Sequence, residues 1–346
     1  MDRERVVSGA KPTGELHLGN LLGATRVWVD LQSSYQCFYF VADLHALTEP
    51  WDPAALRRQT LKLAGDLLAA GIDPERSILF VQSHVPAHTE LAWVFDALTS
   101  FGDLLRMTQF KEKRDSAQAE EEFVSVGLFD YPVLQAADIL AYRGAKVPVG
   151  EDQLQHLELT RRIAHRFNTR FGVFFPEPEP ILSETPRIMS LADPTRKMSK
   201  SLGPEHAIGI MEEEESIWKK VRAAVTDVGP RGEGEAMSPG VANLFQLLQA
   251  GAPTSVVERF LNEHRRGVLK YESLKRAVFE HLMMLLGPVR ERRRQISNGE
   301  IEAVLAVGAQ RAATVAEATL REVRRRVGIG PSQSHPESSQ SHPESA

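Results

Sequence analysis

Three short runs, Arg5-Val-Val-Ser8, residues 36–42 and Ser77-Ile-Leu-Phe-Val-Gln82, read as strands, the second of them continuously apolar, and helical patterning separates them. A strand without polar alternation has no face to give to water, so it must be covered on both sides. The first intervening segment, 19–32, reads as a helix. The second begins with Asp52-Pro53, an N-cap followed by proline at the first helical position, and stops at Gly71. A further amphipathic helix is expected over 89–101. Strand, helix, strand, helix, strand predicts an α/β fold built on a doubly wound parallel sheet, with ligands beyond the carboxyl ends of the strands.

Further along, 133–142 reads as helix, 146–149 as a short strand, 150–166 as strand end, turn and helix, and 176–180 as a proline-rich loop. Residues 111–122 are polar and acidic, and read as a surface insertion or a mobile loop. From about Pro204 strand signals vanish, and helices are expected at 213–225, 241–248, 269–286 and 301–326. The expected division is therefore 1–203 as the α/β domain, 204–330 as a smaller all-helical region whose last helix packs back on the first, and 331–346 as a tail. The tail repeats Ser332-Gln-Ser-His-Pro-Glu-Ser338 letter for letter as Ser339 to Ser345. Such a composition cannot bury enough surface to order itself.

With 346 residues the chain can bury a sizeable core. Its one cysteine, Cys37, lies in an apolar run and fits a buried small residue in a reducing compartment. No signal peptide and no bilayer-length apolar stretch is visible, so the expected location is cytoplasmic, with no membrane partner. A net charge of −5 argues against a broad nucleic-acid coat but leaves room for a local basic surface. The runs Arg290-Glu-Arg-Arg-Arg294 and Arg321-Glu-Val-Arg-Arg-Arg326 are candidates, with a solvated helix face as the plain alternative.

Two segments carry chemistry. In Gly9-Ala-Lys-Pro-Thr-Gly-Glu-Leu-His17-Leu-Gly19-Asn20, glycines let backbone approach a ligand, and Gly19-Asn20 opens a helix whose free N–H groups suit phosphate. His17 and Asn20 add side-chain donors. The P-loop word is absent. Taken alone, the loop reads equally as an ordinary strand-to-helix turn. Far downstream, Lys197-Met198-Ser199-Lys200-Ser201 sits between Pro194 and Gly203, a loop whose two lysines can neutralise a triphosphate as pyrophosphate leaves. Met198 would pin that loop to the body.

Together the two words resemble the signatures of class I aminoacyl-tRNA synthetases, His17-Leu-Gly-Asn20 being a variant of the first. Ser8 to Gly14, Asp43-Leu-His-Ala-Leu-Thr48, Arg106 to Lys113, Tyr131 to Asp138, Val147 to Gln153, Arg187-Ile-Met-Ser190 and Ala224-Val-Thr-Asp227 resemble the bacterial tryptophanyl-tRNA synthetase family. The likeness runs from about Val6 to Val327. It implies a Rossmann-like catalytic domain, a helical anticodon-binding region and a homodimer. It also implies that L-tryptophan is activated with ATP and Mg²⁺ to tryptophanyl-adenylate and passed to tRNA(Trp).

Carried over by position, Lys11, Pro12, Thr13, Gly19, Asn20, Gly150, Glu151, Asp152, Ile188 and the loop Lys197, Met198, Ser199, Lys200, Ser201 would bind ATP. Lys197, Lys200, Lys113 and His17 would serve catalysis. Asp138 would accept the indole N–H, with Tyr131, Gln135, His45, Gln153, Val147 and Val149 around the amino acid; no resident metal is expected. The assignment is chemically apt, because indole N–H is a donor only and a buried carboxylate is its natural acceptor. No general base is needed, since the carboxylate of tryptophan is already a nucleophile.

Several positions depart from the familiar bacterial pattern. Lys11 stands where Gln is usual, Val7 and Ala42 where Phe and Val are, and Gln135 where a Met packs in the pocket. These changes are expected to alter tolerance of ring-substituted tryptophans or of inhibitors that mimic tryptophan. Equal discrimination by this chain and by a variant carrying Phe, Val and Met at 7, 42 and 135 would refute that. Gln135-Ala-Ala-Asp138 also echoes tyrosyl-tRNA synthetases, so tyrosine is the second substrate to weigh. A non-catalytic tRNA-binding relative and a small-molecule nucleotidyltransferase fit less well with the intact lysine loop and the long helical region.

Overall fold

The computed structural model describes residues 3–108, 124–182, 188–227 and 236–330. Strands β1 (Arg5–Ala10), β2 (Gln36–Val41), β3 (Ser77–Val81), β4 (Lys146–Val149) and β5 (Glu179–Leu182) form one sheet in the order β3-β2-β1-β4-β5. Every neighbouring pair is parallel, with Val7 opposite Phe38 and Phe38 opposite Ile78. Side chains of period two divide the molecule into two cores. Val6, Cys37, Tyr39 and Leu79 enter one, and Val7, Phe38, Phe40 and Ile78 enter the other. This is the doubly wound sheet the alternation predicts.

The first core is covered by the helical segment α1 (residues 18–31) and helices α2 (Pro53–Ala70), α7 (Pro239–Gly251), α8 (Thr254–Arg265) and α9 (Tyr271–Gln295). The second is covered by α3 (Ala87–Asp96), α4 (Val126–Leu140) and α5 (Leu154–Phe171). Helix α6 (Glu214–Ala223) packs on α9. The last helix, α10 (Asn298–Val327), runs from one core to the other, giving Ile301 and Leu305 to the first and Ala312, Ala316 and Leu320 to the second. It lies against β3, the end strand of the sheet, so the open edge is covered by a helix. At the crossing a Cβ on Gly308 would stand 1.8 Å from the Leu79 carbonyl oxygen, a separation only glycine permits.

Three expectations need correction. Residues 176–180 are not simply loop, because β5 begins at Glu179 and pairs Pro180 with Val147. Proline fits there because β5 is an edge strand, with one side free of ladder bonds. The helix expected over 89–101 stops at Asp96, and a separate short helix follows over Phe101–Leu105. Helix α4 starts seven residues earlier than expected, where the Ser125 hydroxyl accepts from the Leu128 N–H at 3.2 Å. Helix α8 carried no expectation of its own. The insertion 111–122 with Lys113, and the tail 331–346, lie outside the described residues.

Both arginine runs serve as internal tethers. Arg290 donates to the carbonyls of Ile210 and Glu212, Arg292 to Ala69 O at 2.7 Å and Arg293 to Asp66 Oδ1 at 3.1 Å. In the second run Arg324 pairs with Glu90, and Arg326 reaches Gly172 O at 2.9 Å. These arginines are spent on holding α9 and α10 to the body. Among the described residues no helix is long and apolar enough to cross a membrane.

Candidate active site

Strand β1 lies between β2 and β4, and at its carboxyl end the winding of the sheet changes direction, leaving a crevice. A cavity of about 430 Å³ occupies it. Lys11, Thr13, Asn20 and Gly150 line one part of it, from the loops after β1 and β4. His45, Tyr131, Gln135, Asp138, Val147 and Val149 line another, and Gln153 joins them. Eleven of the residues predicted from sequence thus share one space with the substituted positions Val7 and Ala42. Lys11 Nζ pairs with Glu49 Oε1 at 3.2 Å, so its charge is held at the cavity by a carboxylate.

Asp138 sits in the last turns of α4 and is 1 % exposed. Its Oδ1 accepts from Gln82 Nε2 at 2.7 Å and lies 2.6 Å from His88 Nδ1. Its Oδ2 lies 2.8 Å from His45 Nε2 and 2.9 Å from the same Gln82 amide. Burial alone would raise its pKa, but hydrogen bonds from His45 and His88 outweigh that and hold it down to about 2. The carboxylate is therefore ionised and acceptor-only at neutral pH. Tyr131 stands edge-on to His45, and its hydroxyl lies 2.7 Å from His156 Nε2. Burial pushes the His156 imidazole down to about 4, so it is neutral.

The two remote segments meet. His17 caps the helical segment 18–31, its Nδ1 accepting from the Asn20 N–H at 3.3 Å while Asn20 Oδ1 accepts from the His17 N–H. That segment contains a π turn, Leu21–Thr25, a local distortion frequent at functional sites. Met198 is 1 % exposed, its N–H donates to Ile188 O at 3.0 Å, and its Cβ would lie 3.5 Å from a Cβ on Gly19. Lys200 Nζ lies 3.7 Å from Glu15 Oε2, and Lys62 pairs with the same carboxylate. Burial and the charges of Lys200 and Lys197 together push the His17 pKa down to about 4, so His17 is a neutral imidazole facing the lysine loop. Burial also lowers the Lys200 ammonium, with Glu15 opposing.

Other predicted residues flank the cavity rather than line it. Pro12 is buried behind the loop, and Glu151 and Asp152 form an exposed 3₁₀ turn in which Asp152 accepts from Gln153 Nε2 at 2.8 Å. Lys197 pairs with Met189 in an isolated antiparallel bridge, and Ser201 lies in the 3₁₀ turn Lys200–Leu202 after Ser199. Sequence reasoning missed Gln82, His88, Tyr142, Glu15 and Lys62. The signal for Gln82 was present: a polar residue directly after the apolar strand β3, at the ligand end of a parallel sheet.

Residues 2–287 match the family model described as tRNA synthetases class I (W and Y). A tryptophan–tRNA ligase 2 of Streptomyces avermitilis is 49% identical over 339 residues, covering 96% of this chain and 99% of that one. The crystal structure of tryptophanyl-tRNA synthetase from Mycoplasma pneumoniae superposes with a TM-score of 0.84 at 35% identity, covering 95% and 98%. That from Campylobacter jejuni, complexed with ADP and tryptophan, gives 0.82 at 31%, covering 94% and 100%. The sheet order, the paired signature segments and these likenesses place the chain in the class I tRNA synthetase family, among the bacterial tryptophanyl-tRNA synthetases.

Proposed function

We propose that this chain activates L-tryptophan with ATP to tryptophanyl-adenylate and transfers it to tRNA(Trp), using the cavity between β1 and β4 for both reactants. The observation that carries the reading is the meeting of Met198 with Gly19, which brings the lysine loop over the loop that opens the first helix. ATP would lie with its base and ribose along Lys11, Pro12, Thr13, Gly19, Asn20, Ile188 and the turn Gly150 to Asp152. Its phosphates would point toward Lys197, Ser199, Lys200 and Ser201. Mg²⁺ would come as part of that substrate, held by phosphate oxygens and water. Lys113 would add another cation.

Tryptophan would place its ring between Val147, Val149, His45 and Tyr131, donate its indole N–H to Asp138, and set its head group near Gln153 and Gln135. Its carboxylate attacks the α-phosphorus and pyrophosphate departs. Lysines that bind the leaving charge more tightly than the ground state lower the barrier. His17, neutral because of its burial and its lysine neighbours, donates a hydrogen bond without adding a charge. The helical region 204–330 would carry the anticodon side of the tRNA complex.

The test is Lys200→Ala, followed by pyrophosphate exchange and by tryptophan titration. Adenylate formation should fall by about 100-fold or more while tryptophan affinity changes little. A large loss of tryptophan binding would mean that the loop serves the amino acid rather than the phosphates. Exchange supported by tyrosine rather than tryptophan would overturn the substrate.

A further inference from the structure

Behind Asp138 lies a buried relay that no part of the reaction scheme uses. His88 and Tyr142 are 0 % exposed, and neither lines the cavity. His88 Nδ1 is 2.6 Å from Asp138 Oδ1, and His88 Nε2 is 2.6 Å from the Tyr142 hydroxyl. Aromatic rings close the space around them. Tyr142 stacks on Phe38 at 4.4 Å, and Phe40 and Phe80 each approach His88 to 6.0 Å.

The hydrogens in this chain follow from its ends. Asp138 is ionised, so it can only accept, and His88 Nδ1 must carry a proton. In a neutral imidazole that leaves Nε2 as an acceptor, and the Tyr142 hydroxyl is there to donate. Burial raises the Tyr142 pKa, so it keeps its proton. Tyr142 therefore selects the Nδ1–H tautomer of His88. With the other tautomer, a lone pair on Nδ1 would face a carboxylate oxygen, and Asp138 would have to take up a proton to bridge the gap. A protonated Asp138 would offer a donor where the site needs an acceptor.

We propose that His88 and Tyr142 are positioning residues for amino-acid selection: through a fixed tautomer they hold Asp138 as a charged acceptor aimed at a ring N–H. The proposal rests on the reading of Asp138 as the indole acceptor. It predicts that the two residues govern discrimination by the ring nitrogen rather than activity in general. A carboxylate has about four acceptor sites. His88, His45 and the Gln82 amide, which bridges both oxygens, make four contacts with Asp138, so a ring N–H would enter by sharing an oxygen with one of them.

The experiment compares tryptophan with its benzothienyl analogue, which has the same shape but sulfur in place of the ring N–H. The readout is the ratio of kcat/KM values in pyrophosphate exchange. The native chain should prefer tryptophan strongly. Tyr142→Phe should lower that preference by about tenfold and His88→Leu by at least as much. His88→Asn, whose amide can replace the Nδ1 donor, should restore most of it. Because the ratio is taken within each variant, a general loss of stability cancels. If the native chain does not prefer tryptophan, the indole reading of Asp138 fails. If it does, but Tyr142→Phe and His88→Leu slow both amino acids equally, that reading stands and the relay proposal falls.

Discussion

At the scale of single residues, the site depends on groups kept in one protonation state by their surroundings. His17 and His156 both have pKa values near 4, well below the 6.5 of a free imidazole, chiefly because burial penalises the charged form. The sign of the consequence is fixed. Between pH 6.5 and 4 the unfolded chain protonates these imidazoles and the folded chain does not, so stability falls as pH is lowered through that window. Asp138 acts further down: its folded value of about 2 lies under the usual 3.8, so its contribution is lost only as pH falls below that. Urea unfolding followed at pH 7, 6 and 5 should show a declining midpoint. His156→Gln, which keeps a polar partner for Tyr131 but cannot titrate, should flatten the decline. An unchanged slope in that variant would show that His156 is already charged in the fold. Asp138 was legible as a site residue because a carboxylate set in Ala-Ala-Asp-Ile-Leu has no solvent to face. His88 was not, since one histidine beside a proline turn carries no mark of the Asp138 that lies fifty residues on.

At the scale of elements, the legible part of the fold is what local pattern encodes, and the rest depends on contacts between distant segments. The strands β2 and β3 announce themselves by continuous apolar runs after their first residue, and β1 and β4 by shorter segments built on valine. Strand β5 does not, because Pro178 and Pro180 look like loop and only pairing with β4 makes the segment extended. The tie between Arg293, Asp66 and the Leu16 N–H joins α9 to the loop after β1 across more than two hundred residues, and no window of sequence contains it. The passage of α10 over the edge of β3 is similar. Its one sequence trace is Gly308, a helix-interior glycine that propensity disfavours. Here the glycine is required, since a Cβ would meet the Leu79 carbonyl. Gly308→Val should destabilise the fold by about 3 kcal/mol in urea unfolding, because neither backbone can yield. Gly287→Ala, at a glycine of α9 with open space around it, should instead be neutral or stabilising by up to ~1 kcal/mol. Similar effects for the two would mean that α10 does not ride on β3.

At the scale of the whole molecule, α4 and the two helices that pack on it each leave a large apolar side chain uncovered, as do scattered positions such as Val173 and Met284. Trp93 on α3 is 77 % exposed, Phe101 in the short helix after it 68 %, and Val126 at the start of α4 80 %. Phe101 also meets the Phe129 ring at 5.0 Å, tying that short helix to α4. Single exposed hydrophobes are ordinary, but large ones on elements that pack together are the kind of surface a partner would cover. The homodimer expected from the family resemblance would supply one, and an isologous interface would bury these side chains on both copies. The cavity lies beside the same elements, because Tyr131, Gln135 and Asp138 stand on α4. A partner pressing on α4 would therefore hold that wall of the cavity in shape. Replacing Trp93 and Phe101 together by Asp should convert the dimer to monomer in sedimentation at micromolar concentration, and should raise the KM for tryptophan more than that for ATP. A native chain that sediments as a monomer would remove the dimer altogether. A double variant that remains dimeric would move the interface elsewhere. A monomer with an unaltered KM would show that α4 needs no support from a second copy.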